Sequence, residues 1–147
     1  MEITDLMHGN IVFDDENKLS KIIGFAPLDY LTNCISADGC QILLNHVGDE
    51  SRDLTCESSF CDPVEITDDI LKGFGFINKP MVLVFQKEIS NDFIVTVHRF
   101  QTNPLHTLRI FKGNKYDKIV HIEIKYAHQL QNLCYLVTGT SLNFDSI

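Results

Sequence analysis

The clearest periodicity in the chain is helical and lies near its end. Tyr126, Leu130, Leu133, Cys134 and Val137 recur at the spacing that lines one helical face, and Gly139 follows as a stop signal. This predicts a helix over 126–138. Ahead of it the period changes to two. Val120, Ile122 and Ile124 point one way while His121, Glu123 and Lys125 point the other, the mark of a half-buried antiparallel strand. Phe93, Val95 and Val97 alternate with Ile94, Thr96 and His98 in the same manner. Thr107–Lys112 and the run from Lys115 flank Gly113-Asn114, a hairpin signal. Met81–Gln86 is a continuous apolar run suited to a central strand.

The first half reads as short strands. Asn10–Asp14 and Lys18–Ala26 flank the polar turn Asp14-Asp15-Glu16-Asn17, expected to be solvated, and Pro27 ends the run. Tyr30–Ala37 and Cys40–Val47 predict a second hairpin about Asp38-Gly39. Residues 48–65 are polar and acidic and read as a loop or weak strand between two lobes. Thr67 can cap a short helix over 67–74, with Asp68 and Asp69 in its first turn and Ile70, Leu71 and Phe74 as its apolar side. The class expected is α+β. An N-terminal small SH3-like β-barrel or curled sheet over 1–65 precedes an antiparallel sheet packed by a C-terminal helix over 66–147, as two lobes or one compact domain.

Composition narrows this little. With 147 residues, 44% hydrophobic and 22% charged, the chain can fill a core, so global disorder is excluded. No apolar run is long enough for a membrane span, and Met1–Gly9 lacks the apolar stretch of a secretory leader. The five cysteines are an odd number with no leader, which points to free thiols in a cytoplasmic setting. Charge is uneven: residues 1–73 hold 15 acids and 4 bases, and residues 74–147 hold 5 and 8. That asymmetry fits a solvated acidic face before it fits a binding surface.

Candidate chemistry is sparse. The spacing of Cys34, Cys40, Cys56 and Cys61 is not that of a closed zinc site, and in the predicted hairpin Cys34 and Cys40 lie on opposite faces. The six histidines form no HExxH, and none stands at a catalytic spacing from Ser or Cys. His98 and His121 are expected on neighbouring strands as solvent-facing residues. Gly73-Phe74-Gly75 ends a helix and so is no phosphate loop. Catalytic residues, metal ligands and cofactors are therefore none in this reading, and no enzyme is expected.

Three stretches carry a resemblance. They are Ile3–Val12 with its Gly9-Asn10, Ile66–Phe76 with Thr67-Asp68-Asp69 closing on Gly73-Phe74, and Tyr126–Gly139 with His128-Gln129-Leu130-Gln131-Asn132-Leu133 before Thr138-Gly139. Together they resemble a family of small proteins encoded by phages, prophages and integrative elements of gut Gram-negative anaerobes. The resemblance implies a mobile-element accessory protein and no particular activity.

Binding is the function that this leaves. No Asp, Glu, Lys or Arg occurs from Tyr126 to Phe144. The polar side of the predicted helix is therefore expected to meet protein, either by packing within the chain or at an interface. The contacts expected are His128, Gln129, Gln131 and Asn132, with Asp49, Glu50 and Asp53 in the acidic segment. The reading is a non-catalytic cytoplasmic interaction module that inhibits or modulates a host defence protein, with a homodimer as another use of the surface. The alternative is a small-barrel nucleic-acid binder using Arg99, Arg109, Lys112, Lys115, Lys118 and Lys125 beside Phe100, Phe111 and Tyr116. The acidity of the whole chain disfavours it.

Overall fold

The computed structural model describes residues 7, 9–27, 40–57, 61–79, 83–90, 92–100, 103–113 and 117–145. The chain divides into two units that meet between Val64 and Glu65.

The N-terminal unit is one antiparallel sheet. Its strands are β1 (Ile11–Phe13), β2 (Leu19–Pro27), β3 (Cys40–His46), β4 (Asp49–Glu57) and β5 (Asp62–Pro63), in the spatial order β4-β3-β2-β1-β5. Among the described residues the outer strands β4 and β5 do not pair, so the sheet is not a closed barrel. Val47-Gly48 joins β3 to β4, and Gly48 takes φ 87, a conformation that favours glycine. Ile11, Val12, Ile22, Leu44, Cys61 and Val64 are buried. Ile11 and Val12 are consecutive, so β1 is covered on both faces.

Of the two readings offered for residues 48–65, loop or weak strand, the strand holds: Asp49–Glu57 is a nine-residue strand in register with β3. An outer strand can carry many charges because they discourage pairing with other chains, which is why its composition resembles a loop. The strand expected at Tyr30–Ala37 and its Asp38-Gly39 turn lie outside the described residues. β3 pairs with β2 on one edge and with β4 on the other.

The C-terminal unit contains α1 (Asp68–Gly73), β6 (Ile77–Lys79), β7 (Val84–Ser90), β8 (Phe93–His98), β9 (His106–Lys112), β10 (Asp117–Ile124) and α2 (Ala127–Thr138). The strands form an antiparallel meander, β10-β9-β8-β7-β6. One sheet face buries Phe85, Val95, Val97, Leu108, Ile110 and Ile124, and α2 contributes Ala127, Leu130 and Cys134 to the core. The Ile70 amide donates to Thr67 Oγ1 at 3.2 Å, capping α1. Gly139, at φ 71, ends α2.

The segment after α2 returns to α1. The Asp145 amide donates to the Gly73 carbonyl at 2.9 Å, and the Phe74 and Phe144 rings meet edge to face at 5.1 Å. A Cβ on Gly73 would clash with the Phe144 ring, so this approach requires glycine.

Candidate functional site

The α2 side chains expected to meet a partner divide into two groups. His128 and Gln131 are each only 5% exposed. Gln131 Nε2 donates to the Leu142 carbonyl at 3.2 Å, and the His128 ring stacks on Tyr126 with centroids 5.7 Å apart. Of the two uses expected for this polar side, these two residues show packing within their own unit. The cause is local: an uncharged helix followed by a returning segment needs amide donors for carbonyls that have left regular structure. Gln129 is half-exposed, and its Oε1 accepts from the Lys125 and Tyr126 amides at 2.9 and 3.1 Å. Asn132 is half-buried. The large exposed side chains of the helix are Leu136, 72% exposed, and Tyr135, 45% exposed. Sequence reasoning passed over both, because neither falls on the apolar stripe that identified the helix.

The acidic candidates Asp49, Glu50 and Asp53 lie on β4. Asp49 stands opposite His46 and Asp53 opposite Asn45 in the register with β3.

The N-terminal unit holds a Ser, His and Asp together, which spacing alone did not reveal. Ser20 Oγ donates to Asp14 Oδ2 at 3.0 Å, and His46 Nδ1 lies 3.1 Å from Ser20 Oγ and 3.4 Å from Asp14 Oδ2. In a nucleophilic triad the imidazole uses one nitrogen for the carboxylate and the other for the hydroxyl. Here the same nitrogen faces both, and Ser20 is fully buried. Asp14 Oδ1 also accepts from the Glu16 and Lys18 amides at 3.0 and 2.8 Å. The cluster ties the β1–β2 turn to β3. The turn was expected to be solvated, but Asp14 is buried at its base.

A second cluster occupies the face of the C-terminal sheet opposite the core. Strand register aligns Gln86, Thr96, Arg109 and His121 in one row across β7, β8, β9 and β10. His98 and His121 are not on neighbouring strands as expected: β9 runs between them and places Arg109 there. Arg109 Nη1 donates to His98 Nε2 at 3.4 Å, and Lys118 Nζ donates to His121 Nδ1 at 3.3 Å. Burial, then the charges of Arg109 and His121, hold the His98 imidazole below its ordinary value. Thr96 Oγ1 and Arg109 Nε are buried and have no hydrogen-bond partner.

Cys61 and Cys134 are buried, and burial pushes the Cys134 thiol up to about 12, which makes it a poor nucleophile. The opposed faces expected for Cys34 and Cys40 lie outside the described residues and side chains. Among the described residues no group of three or more His, Cys, Asp or Glu is placed to hold a metal ion, and no helix is long and apolar enough to cross a membrane. No family model, no curated protein and no solved structure matches this chain.

Proposed function

We propose that this chain is a non-catalytic interaction module that docks on a protein partner through the exposed side of α2. The observation that carries the reading is the exposure of Leu136 and Tyr135 on a helix without a charged residue. Apolar and aromatic side chains with few charges are what the centre of a protein interface uses. Gln129 and Asn132 can contribute at its border, and Asp49, Glu50 and Asp53 offer a separate acidic contact on β4. The Asp14–Ser20–His46 cluster supports a module without catalysis, since its groups secure a turn.

The setting inferred is the reducing cytoplasm of a host, with the protein encoded by a phage or mobile element and inhibiting or modulating a host defence protein. The Tyr126–Gly139 string and the free thiol of Cys134 support it. We read the N-terminal sheet as a curled, SH3-like arrangement. Its support is the β1–β5 pairing, the register shift in β2 between Ile22 and Gly24, where a sheet can bend, and a β1 buried on both faces.

The test is affinity capture from host lysate with the native chain and with Leu136→Glu. A partner retained by the native chain and lost by the variant, with both giving the same thermal unfolding midpoint, is the expected result. Sedimentation in the absence of lysate separates a homodimer from a host partner. An identical set of captured proteins for both chains would remove the reading.

A further inference from the structure

We infer that the polar face of the C-terminal sheet binds a phosphoryl group, with Arg109 at its centre. This goes beyond the α2 reading and does not depend on it. The basis is a juxtaposition that only strand register creates. Thr96 stands directly opposite Arg109 on one side, and His121 stands directly opposite it on the other. His98 lies one step along β8 on the same face, and Lys118 reaches His121 from the same strand. A guanidinium, an ammonium, two imidazoles and a hydroxyl thus share one patch of this face, and all of them can donate to an oxyanion.

Two donors in the cluster are unused. Thr96 is 8% exposed, and its hydroxyl, though buried, has no partner. Arg109 Nε is in the same position. Buried polar atoms are nearly always satisfied, so two adjacent exceptions on facing residues point to an absent acceptor. The acids of this face do not supply it. Glu123 on β10 and Glu88 on β7 share the surface, yet among the described residues Arg109 has no carboxylate partner, and its guanidinium turns to His98. A tetrahedral oxyanion can take the fork of Arg109 and the Thr96 hydroxyl together, while His121 and Lys118 close the other side.

The phosphoryl group could belong to free phosphate or a monoester, or to the diester backbone of a single strand. Phe111, opposite Ile94 on the same face, adjoins the cations where a base would lie. The test is a chemical-shift titration at low ionic strength with inorganic phosphate, and separately with a short oligothymidylate. Saturable shifts at the amides of Thr96, Arg109 and His121 are expected. Arg109→Gln should weaken binding about tenfold or more, the scale of a charge-assisted pair. His121→Gln, at an exposed position, and Thr96→Val should weaken it less, with spectral dispersion retained. Tighter binding of the oligonucleotide assigns the site to a diester backbone, and tighter binding of phosphate assigns it to a monoester or the free ion. No saturable shift with either probe, or unchanged affinity in Arg109→Gln and His121→Gln, overturns the inference.

Discussion

At the scale of single residues, two positions concentrate the physics of this chain. Gly73 is one, because its missing side chain admits the Phe144 ring. Gly73→Ala should cost about 1–3 kcal/mol, the usual range for inserting a methyl into packed space. Adding Phe144→Leu should recover part of that loss, a coupling that denaturant midpoints of the single and double variants will measure. His106 is the other. It is buried on the core side of β9, its Nδ1 has no hydrogen-bond partner, and burial followed by the charge of Arg99 holds its pKa below the ordinary value. The unfolded chain therefore takes up this proton first as pH falls. Stability from this residue is complete above about pH 6.5 and is lost as pH drops from there toward the lowered folded value. His98 adds a slope of the same sign. Urea midpoints should fall between about pH 7 and about pH 5.5, and His106→Gln should flatten that fall.

Among the elements, the β1–β2 turn shows how one carboxylate can organise a sheet. Asp14 accepts from two amides of its own turn and from Ser20 of β2, and it lies beside His46 of β3. Asp14→Ala removes all of these at once and deprives the buried Ser20 hydroxyl and two turn amides of their acceptor, so a loss of about 3 kcal/mol is expected. Ser20→Ala should cost less, since the two amides keep their acceptor; thermal unfolding of both variants checks the order. None of this was legible in a linear reading, where Asp14-Asp15-Glu16 resembles any acidic turn. Elements whose signal is local were legible. The α2 stripe and the Thr67 cap each need only a few consecutive residues. The period of two marked β10 as a strand, but of Val120, Ile122 and Ile124 only Ile124 is buried and Ile122 is 45% exposed. Elements that depend on neighbours were not. β4 resembles a loop because charges suit an outer strand, and β3 is fixed by two partners at once, β2 before it and β4 after it. The site followed the same division. Absence of charge singled out α2, and which of its amides turned inward depended on the Leu142 carbonyl. The Arg109 row required the register of four strands.

For the whole molecule, the units differ sharply in charge. Residues 1–64 carry 12 acids and 3 bases, while residues 65–147 carry 8 and 9. The N-terminal unit is under electrostatic self-repulsion and the C-terminal unit is nearly neutral. Raising salt from about 0.02 to about 0.5 M shortens the screening length several-fold and relieves that repulsion. Amide hydrogen exchange should then slow in β1–β5 more than in β6–β10.

The double burial of Ile11 and Val12 bears on how this sequence can drift. Most strands keep a watery side on which substitutions accumulate harmlessly. A three-residue strand enclosed above and below has no such outlet. In a saturation library, positions 11 and 12 should both reject every polar replacement, an unbroken intolerant pair. Along β9, by contrast, tolerance should flicker on and off with each step.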